Sequence, residues 1–253
     1  MRFSSIGSGS RGNGTLVSRH GTTLLIDCGF SVKQTVRRLA RLKQEPEAIT
    51  AIVVTHEHGD HINGVAVMAR RFKIPVWATH GSAKQFAPDE LPALTIFSSH
   101  ERFEIGDLEL SPFPVPHDAR EPSQFVFSDG AHRLGLLTDV GSTTPHIEDC
   151  LSGCDALLLE SNYDAEMLAS SEYPASLKAR ISGPRGHLSN EQTASLVCQL
   201  DCSRLQHFAA AHLSEQNNSP EIVRETLAAA LDCTPEWVAI ADQECGLDWR
   251  QLG

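Results

Sequence analysis

No stretch of the 253 residues reaches the roughly 18 to 20 apolar residues that cross a bilayer, and Met1-Arg2-Phe3-Ser4-Ser5 lacks the apolar core of a signal peptide. A membrane-spanning helix is excluded and a cytoplasmic protein is expected. Basic residues are scarce as well: 21 Lys and Arg against 32 Asp and Glu give a formal charge of −11. That balance argues against gripping nucleic acid by bulk charge and leaves room only for a local basic patch. Seven cysteines, an odd number without a secretion signal, make no disulfide framework. Cys150-x3-Cys154 and Cys198-x3-Cys202 also miss the two-residue spacing of a zinc knuckle, so buried, reduced thiols are expected. No Gly/Ser/Pro-rich linker, low-complexity tract or charge block divides the chain, which predicts one domain over residues 1–253.

Short strands alternate with helices along the chain. Gly12-Asn13-Gly14 separates a strand over Arg2–Ile6 from one over Thr15–Arg19, and Thr23–Asp27 follows Gly21. Ser31-x-x-Gln34 has the form of a capping box. It opens a helix with Val32, Val36 and Leu39 on one face and Arg37, Arg38 and Arg41 on the remaining surface. Thr50–Thr55 is a short apolar run of the kind buried on both faces of a sheet. A helix through Met68 to Phe72 stops before Pro75, and Val76–Ala78 resumes strand. Further strand-like runs occupy Leu108–Leu110, Gln124–Phe127, Leu134–Thr138, Ala156–Leu159, His207–Ala211 and Trp237–Ile240. Helices open at Thr144-Pro145, Ser189-x-x-Gln192 and Ser219-Pro220. The alternation predicts an α/β fold. His-Leu-Ser occurs twice, at His187–Ser189 and His212–Ser214, by chance or as a functional echo.

The strongest chemical signal is His56-Glu57-His58-Gly59-Asp60-His61, between a buried strand and a helix. Four potential metal ligands in six residues can point into one cavity while the sheet holds their backbone still. Imidazole with carboxylate suits zinc, manganese or iron rather than calcium or magnesium alone. Such a segment cannot complete two coordination shells by itself. His117, Asp139 and His212 each follow an apolar run, where binding groups of α/β sheets gather.

At these residues the chain resembles the metallo-β-lactamase superfamily, whose signature His-x-His-x-Asp-His is matched at His56, His58, Asp60 and His61. Asp27 in Leu25-Ile26-Asp27-Cys28-Gly29 looks like the family's buried aspartate that braces the histidine loop. His117, Asp139 and His212 resemble its later motifs. The resemblance implies an αββα sandwich, two sheets face to face with helices outside. It also implies two divalent ions, zinc or manganese with iron possible. His56, His58 and His117 would hold one, Asp60, His61 and His212 the other, and Asp139 would bridge them. The similarity is stronger to the WalJ (YycJ) branch, through Gly7-Ser8-Gly9-Ser10-Arg11-Gly12-Asn13, Gly186-His187-Leu188-Ser189-Asn190 and His212–Pro220. Arg11 stands where that branch has a small residue. Antibiotic-hydrolysing members commonly have arginine where His61 stands and cysteine where Asp139 stands, and this length leaves no room for the insert of the RNA-cleaving β-CASP branch. The resemblance therefore implies a nuclease or phosphodiesterase, a WalJ-like exonuclease acting on DNA. Its partner would be nucleic acid or a small phosphodiester, with no membrane.

Two ions about 3.5–4 Å apart would hold a shared hydroxide and lower its pKa toward roughly 7. The leaving alkoxide needs a proton, and His187 is the candidate acid alongside Asp60 among the catalytic residues. The capping box at Ser189 also allows His187 to be merely a residue outside a helix start. Glu160 reads equally as a second pocket acid or as the partner of a basic residue. Arg180 and Arg185 read as phosphate ligands or solvated charge, and the amides of Ser8–Gly14 as an anion nest. His20, His80, His100, His132, His146 and His207 fall outside the pattern. Competing functions are hydrolysis of a small ester, thioester, lactone or cyclic phosphate, or a non-catalytic metal-binding relic. A missing ligand would favour the relic, and none is missing.

Overall fold

Two seven-stranded sheets, each antiparallel over one half and parallel over the other, collect most of the apolar runs. The computed structural model describes residues 1–87 and 90–253. In the first sheet β1 (Arg2–Gly7), β2 (Gly14–Arg19) and β3 (Thr22–Ile26) form an antiparallel meander. The sheet continues in parallel through β4 (Ala51–Val53), β5 (Val76–Thr79) and β6 (Leu94–Phe97). The second sheet begins with β7 (Phe103–Ile105), β8 (Leu108–Pro114), β9 (Ser123–Ser128) and β10 (Arg133–Leu137), all antiparallel. It goes on in parallel with β11 (Ala156–Glu160), β12 (His207–Ala211) and β13 (Ala239–Ile240). The last strand, β14 (Leu247–Gln251), returns to pair antiparallel with β1.

Helix α1 (Val32–Arg41) and, after the single turn α2 (Gly59–Ile62), α3 (Val65–Phe72) cover the outer face of the first sheet. A further turn, α4 (His80–Ala83), follows β5. On the second sheet lie α5 (Pro145–Leu151), α8 (Asn190–Gln199) and α9 (Pro220–Leu231), with α6 (Ala165–Ser170) and α7 (Ala175–Ile181) between β11 and α8. Strands such as β3, β4 and β11 are buried along their whole length, as strands covered on both faces must be. One face of each sheet meets the other: Phe3, Leu24 and Val53 pack with Leu110, Phe127 and Leu158. Outside, Leu39 and Met68 lie on Leu25 and Ile52, and Leu151, Leu196 and Leu227 lie on Leu157 and Phe208. The result is the αββα sandwich implied by the sequence. Each of these fully buried side chains contributes about 1.5–3 kcal/mol by leaving water.

The caps are where the sequence put them. Capping boxes close at Ser31 with Gln34 and at Ser189 with Gln192, while Thr144 and Ser219 cap α5 and α9 ahead of a first-turn proline. Three readings are corrected. Arg38 is buried, because its guanidinium donates to the carbonyls of Ile6, Gln243 and Glu244 and lies 4.1 Å from the Phe30 ring. Cys198 is exposed and Cys150 and Cys202 are half-buried, whereas burial pushes the Cys28 and Cys154 thiols up to about 12 and 11. Trp237 ends a short 3-10 turn over Pro235–Trp237 rather than starting β13. Among the described residues no helix is long and apolar enough to cross a membrane.

Candidate metal centre

The parallel strands of both sheets end at one rim, and polar residues stand there. Asp27 follows β3, Thr55 and His56 follow β4, Asp139 follows β10, Glu160 ends β11 and His212 follows β12. His117 arrives from the stretch beyond β8, and Asp60 and His61 lie in α2. Asp27, Asp139 and His212 have φ of 60°, 54° and 55°. Left-handed backbone at non-glycine residues costs about 1–3 kcal/mol each and persists only where the surroundings enforce it, typically at sites. Here it turns each side chain off the strand direction at the point where the two sheets meet.

The side chains gather as the spacing implied. Donor atoms of His56, His58 and His117 lie within 4.8 Å of one another, as do those of Asp60, His61 and His212 and those of His56, His61 and Asp139. Asp139 stands between the first two groups, with Oδ2 3.0 Å from His61 Nε2 and Oδ1 3.9 Å from His117 Nε2. One nitrogen of four of the five histidine rings is held from behind. The Asp27 carboxylate accepts from the Thr55 amide and hydroxyl and from His61 Nδ1, each at 2.8 Å. With its proton committed to Asp27, the Thr55 oxygen accepts from His56 Nδ1 at 2.9 Å. His117 Nδ1 donates to the Gly186 carbonyl at 3.1 Å and His212 Nδ1 to Glu160 at 3.0 Å. In these four rings Nε2 is left facing the cluster, the orientation by which protein partners fix metal-binding histidines, whereas His58 turns Nδ1 inward, 3.2 Å from His117 Nε2, with Nε2 3.7 Å from Asp118.

Within this cluster His56 Nε2, Asp139 Oδ2 and His212 Nε2 are buried without a hydrogen-bond partner among the described residues. An unmet buried polar atom costs about 1–3 kcal/mol, so three in one place need an explanation. Charge points the same way. Asp60 and Asp139 are held below the carboxylate range, His212 and His61 outweighing the effect of burial. Conversely, against burial, Asp139 and Asp27 together raise His61 well above its ordinary value, and Asp139, Asp60 and Glu160 together raise His212 to about 10. His56 is depressed, first by burial and then by His61. The carboxylates thus call for positive charge, which draws protons onto His61 and His212, while the orphaned His56 Nε2 offers a lone pair. Divalent cations meet both demands, and the donor set fits zinc, manganese or iron.

Beside this cluster Glu160 is fully buried. It accepts from His187 Nδ1 at 2.8 Å, from His212 Nδ1, and from the amides of Asp139, Val140 and Leu188. His187 and His212 outweigh the burial and bring it down to about 2. The duplicated His-Leu-Ser is therefore more than chance in space: both histidines present Nδ1 to the same carboxylate oxygen. His187 lines the groove over the cluster, and its Nε2 takes no partner among the described residues.

The remaining candidates divide. Arg180 lines the groove and donates to Asp118 at 2.8 Å, whereas Arg185 is exposed and does not line it. The anion nest is not formed, because the amides of Ser8, Gly9, Arg11, Gly12 and Asn13 are already bonded within the protein. That loop braces the site instead. Ser8 Oγ accepts from the His212 amide and Asn13 Nδ2 reaches Asp60 Oδ2 at 3.3 Å. Arg11 forms a two-pronged pair with Glu215 at 2.8 and 2.6 Å, which accommodates the large residue. His20, His80, His100, His132, His146 and His207 stay outside the cluster. Sequence reasoning missed Asp118, 3.5 Å from His117 Nε2, although it directly follows His117. It also missed Tyr173, which no motif marks.

A family model described as a beta-lactamase superfamily domain matches residues 22–208. The chain is 35% identical to the exodeoxyribonuclease YycJ of Bacillus anthracis over 92% of its length and 89% of that protein's. It is 32% identical to the exodeoxyribonuclease WalJ of Streptococcus pneumoniae, over 99% of its length and 93% of that protein's. In fold it is similar to the metallo-beta-lactamase fold protein YhfI from Bacillus subtilis, with a TM-score of 0.77, 15% identity and 98% of each chain covered.

Proposed function

Since the chain belongs to the metallo-β-lactamase superfamily and is a metal-dependent hydrolase, we propose that it is an exonuclease removing nucleotides from DNA ends. One observation carries the reading. Every expected ligand position is filled and converges, with unpartnered buried donor atoms, in a chain similar over nearly its whole length to two exodeoxyribonucleases. His56, His58 and His117 would hold one zinc or manganese ion, Asp60, His61 and His212 a second, and Asp139 both. Bound there, the ions supply Lewis acidity and activate water at neutral pH.

The chain's own residues do the rest. Asp27, Thr55, Glu160 and the Gly186 carbonyl keep the rings of His61, His56, His212 and His117 from turning. Glu160 holds the His187 ring by Nδ1 and favours its doubly protonated form, which carries a proton at Nε2 for the leaving oxygen. Arg180 at the groove can exchange Asp118 for a phosphate oxygen.

The test uses end-labelled DNA, end-labelled RNA and a chromogenic phosphodiester with manganese or zinc. Nucleotides should be released from labelled strands. KM should rise roughly 5–10-fold between 50 and 200 mM salt if about two phosphates of a single strand are neutralised. Turnover of small esters or thioesters alone would instead establish the small-substrate hydrolase, which the −11 charge favours.

A further inference from the structure

Helix α7 buries none of its residues, although Leu177 and Ile181 stand four apart on one side of it. That side, with Tyr173 just ahead, forms one wall of the 270 Å³ groove above the ligand cluster. Polar ties hold the helix in place of a hydrophobic core. Arg180 donates to Asp118 at 2.8 Å, Lys178 Nζ to the Ala169 carbonyl at 2.6 Å, and the His187 amide to the Ile181 carbonyl at 2.8 Å. The floor and far wall are polar throughout, from Ser10, Asp60, Asn162, His212 and Ser214.

A groove with Tyr173, Leu177 and Ile181 on one wall, Arg180 beside them and ionic groups opposite suits a ligand with a flat apolar plate on one side and an anion on the other. A nucleotide has this shape: its phosphodiester would face the ligand residues and its base the wall. The volume takes one base and not a paired stack, and the formal charge of −11 argues against gripping duplex DNA by bulk charge. Stacking on an aromatic ring is tolerant of sequence, as an enzyme that trims strand ends requires. Resting on the nuclease reading, we propose that Tyr173, backed by Leu177 and Ile181, is the stacking platform for the terminal base of an unpaired strand.

The metal-loaded enzyme is tested on a single-stranded oligonucleotide and on the same sequence as a blunt duplex. The unpaired end should be degraded faster. Tyr173→Ala should raise KM on the single strand roughly tenfold while kcat changes little, and Tyr173→Phe should restore it. A terminal 2-aminopurine next to a cleavage-resistant phosphorothioate gives a second readout. Its fluorescence should be quenched by the wild type and by Tyr173→Phe, but not by Tyr173→Ala. Leu177→Asp should weaken the quench independently should the alanine variant fold poorly. Unchanged KM and quench in Tyr173→Ala, or equal rates on blunt and unpaired ends, would overturn the platform while leaving a nuclease. A wild type that cleaves a chromogenic diester but no strand would overturn the nuclease reading itself.

Discussion

Asp139→Asn should abolish phosphodiester turnover and reduce bound metal from two ions per chain to one or none, with the fold intact. Among the described residues Asp139 is the carboxylate that stands between the two ligand groups, 3.0 Å from His61 and 3.9 Å from His117, and it accounts for one of the orphaned buried atoms. An amide keeps the volume and tolerates the left-handed φ of 54° as aspartate does, so the loss isolates the charge. Mutating even a partner that supports a metal ligand typically costs roughly 10–100-fold in affinity or activity, and a shared ligand should cost more. Elemental analysis with circular dichroism checks both halves. Two ions per chain with measurable turnover in the variant would remove Asp139 from the site.

His187→Ala should slow cleavage of DNA by roughly 10² to 10⁴-fold, the range of general acid catalysis, while metal content stays at the wild-type value. The ring is tethered by Nδ1 to a buried carboxylate and turned into the groove, so it can deliver a proton from Nε2. Burial alone would strip that proton, but Glu160 and Asp139 outweigh it and raise the ring above its ordinary value. A nitrophenyl ester, whose leaving group needs no proton, should lose far less. Equal losses on both substrates would make His187 a positioning residue, and no loss on either would leave it as part of the α8 start.

Ligand positions were legible because each interrupts or ends an apolar run with a residue of the wrong polarity for a core, as at His56, Asp139 and His212. A single chain position carries that signal. Glu160 was ambiguous because its role lies in partners 27 and 52 residues away, which only the fold brings to one oxygen. Arg38 was misread for the same reason: its burial rests on carbonyls from the chain's two ends. Helix α7 left no periodic core signal since it buries nothing, and β6, with exposed Leu94 and Ile96, lacks the alternation that marks a half-buried strand. The polar Leu247–Gln251 strand pairs only at an edge and was missed likewise.

Anomalous diffraction from crystals grown with zinc or manganese tests most directly whether these residues hold two ions. Two peaks roughly 3.5–4 Å apart should appear. One should lie among His56, His58 and His117, the other among Asp60, His61 and His212, with Asp139 reaching both. A single peak, or peaks elsewhere on the chain, would contradict a two-ion centre at these residues.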